Sequence, residues 1–326
     1  MNESPAANRE AVPSRPFRIG YSPAASLPSE PLMPRPPLCC LLLALLAAPI
    51  ADASDWRQGW GLVPAGPTHA EPAPALSAAP LAQLRLQPVG EQWQARIDNP
   101  LAGPLQIELR AAPGQSIEGL PLQSLVQGGG TLVVGHLAPP TDGRALEVRM
   151  NAVPGAPAAQ AEDVAYRLPF EAAHLRVDQA PNGRFSHQDE ENRDAVDFAL
   201  AEGTLILAAR EGTVMQVQDG FHSNGQDRQR DGNRANFIRV LHSDGSMALY
   251  AHLLAGGLRV RPGQAVQAGQ PIGLSGNSGF STAPHLHFVV QVNRGMGLRS
   301  VPARIFTAQG QLQFAREGHG EGSAGR

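Results

Sequence analysis

The chain has 326 residues, enough for two domains of ordinary size. Its formal net charge of -3 is close to balance, which argues against nucleic acid as a partner. The sequence contains 35 glycines and 30 prolines but only three tyrosines and three tryptophans. This composition favours β-structure, turns and linkers over helical bundles, so we expect an all-β protein.

The N-terminal region carries the features of an export signal that starts at Met33. Arg35 supplies a positive charge, residues 38–48 are apolar, and Ala51-Asp52-Ala53 forms an A-x-A cleavage site. The apolar run has about a dozen residues, fewer than the roughly 20 that span a bilayer. We therefore predict an N-terminal extension and signal peptide over 1–53, with the signal at 33–53, and no stable membrane insertion after cleavage.

Cys39 and Cys40 both lie inside this signal, so the mature chain would contain neither a thiol nor a disulfide. A cysteine nucleophile is then excluded. A lipoprotein would need its cysteine at the end of the apolar run, whereas these two lie near its beginning. Residues 1–32 lack hydrophobic periodicity, which favours Met33 over Met1 as the true start. The mature protein is expected to be exported, to the periplasm or outside the cell.

Residues 54–76 are rich in proline and alanine and are predicted to form a linker. Between residues 77 and 170, short segments alternate apolar and polar side chains, as half-buried strands do. About six strands in ~95 residues are typical of a small β-sandwich. The alternating segments are 84–86, 93–97, 105–109, 132–134, 146–150 and 164–168.

Residues 171–310 are predicted to form a second all-β domain, which holds most of the histidines. Its short apolar segments are joined by glycine-containing turns, and none is an amphipathic stretch of helical length. The predicted strands are 195–198, 204–208, 213–218, 236–242, 247–253, 270–275 and 285–292. The polar, glycine-rich residues 311–326 are predicted to be a disordered tail.

The tripeptide His285-Leu286-His287 indicates a metal site. Residues two apart in a strand point to the same face, so both imidazoles can reach one point in space. Two imidazoles and a carboxylate are a common donor set for a catalytic zinc that keeps one position open for water. Together with His187, Asp197 and His252, this pattern predicts a hydrolytic metalloenzyme.

Five segments in chain order resemble the lysostaphin/LytM-type (M23) metallopeptidases over roughly residues 180–308. They are FSH at 185–187 with AVDF at 195–198, YAHL at 250–253, GLSGNSG at 273–279 and PHLHF at 284–288. The resemblance implies a compact antiparallel β-sheet domain. It also implies a zinc metalloendopeptidase that uses a metal-activated water to cleave the stem peptides or cross-links of bacterial peptidoglycan.

The resemblance also implies individual roles. His187, Asp197 and His287 match the three zinc ligands. His285 and His252 match the two histidines that orient or deprotonate the water and stabilise the tetrahedral intermediate. Tyr250, two residues before His252, would share its strand face and either line the site or pack in the core. The polar loop 220–235 is expected to form one wall of the groove.

The spacing of the first motif departs from the family pattern. The usual motif is H-x-x-x-D, whereas nine residues, 188–196, separate His187 from Asp197 here. Asp189 and Asp194 therefore remain alternative carboxylate ligands, although Asp197 has the matching neighbours. His242, at a hairpin turn, is expected to face solvent.

Two other functions remain open. Some members of the superfamily are catalytically silent modules that bind and regulate another cell-wall hydrolase, and such members typically lack the zinc ligands. The other alternative is a peptidase that acts on secreted proteins.

Overall fold

The computed structural model describes residues 19–22, 80–140 and 144–314. The predicted signal peptide and linker lie outside these residues. Strands make up nearly all of the regular secondary structure in the described part of the chain, which confirms the all-β prediction. It includes one four-residue helix that was not predicted, α1 (Arg228–Asp231). Within the described ranges, no helix is long and apolar enough to cross a membrane.

Six strands between residues 83 and 154 form two three-stranded antiparallel sheets that pack on a shared core. The core side chains include Ala95 and Ile97 from one sheet and Leu105 and Ile107 from the other. One sheet contains β2 (Gln83–Val89), β3 (Gln92–Asp98) and β6 (Thr131–Leu137); the other contains β5 (Leu122–Val126), β4 (Leu105–Ala111) and β7 (Val148–Pro154). The sequence pattern missed β5, because its apolar residues do not alternate strictly.

The segment 164–168, predicted as a strand of the sandwich, pairs elsewhere. β8 (Ala165–Arg167) lies parallel to β21 (Arg304–Thr307) at one edge of a four-stranded sheet. In this sheet β22 (Gly310–Phe314) lies next to β21, and β1 (Ile19–Ser22) lies next to β22. Tyr166 consequently enters the C-terminal core. Residues 311–314 belong to β22 and not to a disordered tail, because Leu312 is buried against the same core. The rest of the predicted tail, 315–326, lies outside the described residues.

A large antiparallel sheet forms the centre of the C-terminal region. Its strands are β9 (Val177–Gln179), β10 (Val196–Ala199), β12 (Gly212–Gln218), β14 (Phe237–Leu241), β15 (Met247–Ala251), β16 (Ala265–Val266), β19 (His285–Asn293) and β20 (Leu298–Val301). They lie in the order β16-β12-β14-β15-β19-β10-β9, and β20 also pairs with β19. Two further pairs are β11 (Leu205–Leu207) with β17 (Pro271–Leu274), and β13 (Asn224–Gly225) with β18 (Gly279–Phe280). All seven strands predicted here are confirmed, to within about two residues.

The side chains of the long strand β19 alternate between the core and the opposite face of the sheet. Leu286, Phe288 and Val290 enter the main core, whereas the alternate residue His287 faces the other way. Tyr250 of β15 packs on Phe288 with ring centroids 5.2 Å apart, and its hydroxyl accepts a hydrogen bond of 2.8 Å from the backbone N–H of Ala209. Tyr250 is therefore a core residue and does not line the site.

The hairpin between β14 and β15 is held by a buried ion pair. Arg210 Nη1 lies 2.7 Å from Asp244 Oδ2, and the two side chains are only 6% and 1% exposed. The backbone N–H of Glu162 donates to the same carboxylate at 2.9 Å and ties its own segment to the hairpin. His242 is buried beneath it against Tyr166, and the expectation that it faces solvent was wrong.

We predict that Asp244→Ala lowers the free energy of unfolding by about 3 kcal/mol, because it removes the buried carboxylate that contacts Arg210 and leaves that charge only the exposed side chains of Glu162 and Glu211. The exposed pair Asp163–Arg304 supplies the control: Asp163→Ala should cost less than about 1 kcal/mol. Urea denaturation measures both. An equal effect of the two substitutions would contradict the assignment of the buried pair.

The difference between wild type and Asp244→Ala should depend on pH. Burial opposes ionisation, but hydrogen bonds from Glu162, Ser246 and Arg210 outweigh it and hold the pKa of Asp244 below its ordinary value. The stabilisation is therefore complete above the unfolded-state pKa of about 3.9 and is lost as the pH falls through the lowered pKa.

Candidate metal centre

His187, Asp197 and His287 converge at the edge of the central sheet. Asp197 on β10 lies directly opposite His287 on β19 in the strand register, and a loop brings His187 to the same carboxylate. Asp197 Oδ1 is 2.9 Å from His287 Nδ1 and 3.2 Å from His187 Nε2. One donor atom from each residue lies within 4.8 Å of the other two, and all three residues are buried. The arrangement matches the spacing that a shared metal ion requires.

Neither alternative carboxylate joins this cluster. Asp194 Oδ2 accepts a hydrogen bond of 2.9 Å from the Ser300 hydroxyl. Asp189 Oδ1 accepts hydrogen bonds from the backbone and side chain of Asn192. Asp197 is therefore the carboxylate that faces the two histidines.

The hydrogen bonds of His187 direct an electron pair into the cluster. Its Nδ1 lies 3.1 Å from the Ala180 carbonyl oxygen, which can only accept, so Nδ1 carries the proton. Nε2 is then a lone-pair atom. It is buried, has no hydrogen-bond partner among the described residues, and faces the Asp197 carboxylate. Two electron-rich atoms at this distance repel each other, and a cation between them would remove the repulsion.

The carboxylate is also oriented. Asp197 Oδ2 accepts a hydrogen bond of 3.0 Å from Gln179 Nε2, which leaves Oδ1 for the histidines. A carboxylate oxygen beside an imidazole lone pair is a donor set that fits a divalent metal ion.

His285 and His252 lie beside the cluster as a pair. Their ring centroids are 4.5 Å apart, and His285 Nε2 is 3.9 Å from Asp197 Oδ1. Each ring donates from Nδ1 to a backbone carbonyl: His285 to Ala283 at 2.8 Å and His252 to Ser278 at 2.7 Å. Both Nε2 atoms are thereby left free to exchange protons with a bound molecule.

A left-handed backbone conformation brings His252 to this side of the sheet. Strand β15 ends at Ala251, and His252 has φ 62°, which is uncommon for a residue with a side chain. Continued alternation would have placed His252 on the core face with Tyr250. The expectation that these two residues share a strand face was therefore wrong. Burial lowers the pKa of His252 to about 3, with a further contribution from His285 and His287, so the ring is neutral at physiological pH.

The cluster opens into a groove of about 1080 Å³. Arg228 and Asn233, from the polar loop 220–235, line one side, as expected from the sequence. Phe185 and Phe280 stack at the same groove, with centroids 5.6 Å apart and planes within 7°. No sequence signal identified this aromatic pair, because the two residues are far apart in the chain.

Two polar residues in contact with the cluster were also missed. Gln179 orients Asp197, and Asn192 Oδ1 lies 3.2 Å from His287 Nε2. Gln179 reaches Asp197 because β9 pairs with β10, and β9 was not predicted. Asn192 lies in the spacer between His187 and Asp197, where only the length of the segment departs from the family pattern. Neither residue type stands out without the pairing that positions it.

Residues 191–297 match the sequence model of Peptidase family M23. This stretch of the chain is therefore similar to M23 peptidase domains.

Its relatives include an uncharacterized metalloprotease of Haemophilus influenzae, 35% identical over 98 residues, which are 30% of this chain and 18% of the relative. The peptidoglycan DD-endopeptidase ShyA of Vibrio cholerae is 32% identical over 112 residues, 34% and 23% of the two chains. The chain thus spans less than a quarter of the length of these two relatives. Among solved structures, a mutant catalytic domain of the prophage-encoded M23 protein EnpA from Enterococcus faecalis is 25% identical, with a TM-score of 0.32, over 41% of this chain and 92% of that domain.

We predict that zinc stabilises the C-terminal region through Asp197. A ligand present at a thousand times its dissociation constant adds about 4 kcal/mol to stability, so the melting temperature should rise with added zinc. Asp197→Asn should abolish most of this rise. The control Asp194→Asn should retain it, because Asp194 bonds to Ser300 outside the cluster. A zinc response lost in Asp194→Asn and kept in Asp197→Asn would reverse the assignment.

Proposed function

We propose that this protein is an exported zinc metalloendopeptidase that hydrolyses peptide bonds in the stem peptides or cross-links of peptidoglycan. The observation that carries the proposal is the convergence of His187, Asp197 and His287 on one point, with the His187 lone pair directed inward. The neutral His252 and its neighbour His285 stand beside that point in an open groove. The predicted signal at 33–53 supports export.

The three ligands would hold zinc through His187 Nε2, Asp197 Oδ1 and His287 Nδ1. When bound, zinc polarises a scissile carbonyl and lowers the pKa of a water ligand toward about 7. The hydrogen bonds of His187 and Asp197 to Ala180 and Gln179 hold their donor atoms in place without rearrangement.

His252 and His285 supply the acid–base groups. Each presents a free Nε2 to the space beside the cluster, where it can take a proton from the attacking water. A protonated Nε2 then becomes a hydrogen-bond donor to the oxyanion of the tetrahedral intermediate. The carbonyls of Ser278 and Ala283 keep the rings oriented during this exchange.

The choice of peptidoglycan rests on the relatives. ShyA is named a peptidoglycan DD-endopeptidase, and a glycyl-glycine endopeptidase from Staphylococcus capitis is 37% identical over 103 residues. An open groove along the sheet suits an extended peptide, which a closed pocket would exclude. The groove does not by itself distinguish wall peptides from peptides of secreted proteins, so substrates of both kinds belong in the test.

The first test is digestion of purified cell walls, with an elastin-like protein in parallel. We expect the walls to clear and release peptides that mass spectrometry identifies. A chelator should abolish the release and added zinc should restore it. If the zinc-loaded protein binds walls without releasing peptides, the protein is a catalytically silent binding module. Preferential digestion of the elastin-like substrate would instead indicate a peptidase for secreted proteins.

The second test separates ligand from acid–base histidine. His287→Ala should lose both zinc and activity, because it removes a metal donor. His285→Ala should retain zinc and lose about 10²- to 10⁴-fold in turnover, the usual contribution of a general acid or base. Metal analysis and peptide release measure the two properties on the same samples. Equal loss of zinc from both variants would contradict these roles.

A further inference from the structure

The spacer between His187 and Asp197 places a side chain against the outer edge of a proposed metal ligand. Asn192 Oδ1 lies 3.2 Å from His287 Nε2. The other nitrogen of the same ring, Nδ1, lies 2.9 Å from Asp197 Oδ1. His287 is therefore held between two oxygen atoms, one from the spacer and one from the cluster.

The orientation of the Asn192 amide is determined by Asp189. Asp189 Oδ1 accepts hydrogen bonds from the backbone N–H of Asn192 at 2.9 Å and from its Nδ2 at 2.8 Å. A carboxylate can only accept, so the amide nitrogen must face Asp189. The amide oxygen is then the atom that faces His287. The reversed amide would set two acceptors against each other at Asp189 and lose both side-chain bonds.

This orientation selects one tautomer of His287. An amide oxygen is an acceptor, so it is satisfied only when His287 Nε2 carries a proton. A neutral imidazole has a single N–H, which leaves the lone pair on Nδ1. Nδ1 is the atom that faces Asp197 Oδ1 inside the cluster. The hydrogen bond on the outer side of the ring thus prepares the inner side to bind a cation.

We propose that Asn192 is a positioning residue of the metal centre: it holds His287 in the Nε2–H tautomer with Nδ1 directed at the ion, and Asp189 holds Asn192. The inference rests on the proposed zinc function. Each of the three ligands then has an outer partner, since Ala180 holds His187 and Gln179 holds Asp197. Loss of such a partner typically costs 10- to 100-fold in metal affinity.

A purely structural role for Asn192 can be separated from this one. The turn of the spacer is also closed by backbone bonds, from Arg193 N–H to the Asp189 carbonyl at 3.0 Å and from Ala195 N–H to the Asn192 carbonyl at 2.9 Å. A side-chain substitution at Asn192 leaves these bonds in place. Asn192→Leu therefore removes the acceptor beside His287 at nearly constant side-chain size.

The test measures zinc dissociation constants of the full-length protein by competition with a chromophoric chelator. Asn192→Leu should weaken zinc binding by about 10- to 100-fold. Asp189→Asn keeps an acceptor oxygen at the position that both the backbone N–H and the side-chain Nδ2 of Asn192 reach, so it should bind zinc nearly as wild type does. Asn151→Leu, at an exposed position of strand β7 in the sandwich, is the control and should not change affinity.

Nitrogen NMR of the zinc-loaded wild type gives a reading that does not depend on any variant folding. The histidine spectrum should show His287 protonated at Nε2 and metal-bound at Nδ1. The opposite tautomer, wild-type affinity in Asn192→Leu, or binding by Asp189→Asn as weak as that of Asn192→Leu would each overturn the inference. A wild-type protein that binds no zinc would overturn the proposed function itself, which separates the two failures.

Discussion

The pairing of β10 with β19 places Asp197 directly opposite His287, and the site depends on this register. Side chains alternate between the faces of a sheet, so a slip of one residue would turn one of the two partners into the core. Phe198, Leu286 and Phe288 prevent such a slip because they are fully buried on the other face of the same two strands. Apolar burial on one face of the sheet thus positions the donors on the other.

Each of the three proposed ligands has a hydrogen-bond partner on the side that faces away from the cluster. On the side that faces the cluster, its donor atom meets a donor atom of another ligand. Ala180, Gln179 and Asn192 occupy the outer positions of the three donors. The inner atoms converge on Asp197 Oδ1, where a carboxylate oxygen meets the lone pair of His187. Unfavourable local electrostatics of this kind are expected where a protein is built to bind a charged ligand. The surrounding hydrogen bonds hold the arrangement in place.

The sequence predicted seven of the fourteen strands that the structure describes between residues 171 and 314, because these segments are apolar and bounded by turn residues. It did not predict partners. The alternation at 164–168 was recognised, but β8 pairs with β21 almost 140 residues later, and no local pattern contains that information. The prediction that His242 faces solvent failed for the same reason, since Tyr166 of β8 packs against its ring. Alternation also could not show that the backbone at His252 leaves the strand geometry.

For the site, the residue types and their order were sufficient to propose the ligands and the two neighbouring histidines. The choice among Asp189, Asp194 and Asp197 needed the strand register. Gln179 and Asn192 were not identified, because each acts through a contact made by a neighbouring strand or by the spacer. What holds a ligand in place is a property of the tertiary structure, even when the ligand itself is evident from the sequence.

The core of the sandwich includes side chains from the central sheet of the C-terminal region. Met215 and Met247, on two strands of the central sheet, are buried in the same cluster as Ile97 and Leu105. The backbone N–H of Ala102 also donates to the Met215 carbonyl at 2.9 Å. Removing the first 170 residues would therefore expose both methionines and leave an apolar patch on the central sheet. A shortened protein would need polar replacements at those two positions to remain soluble.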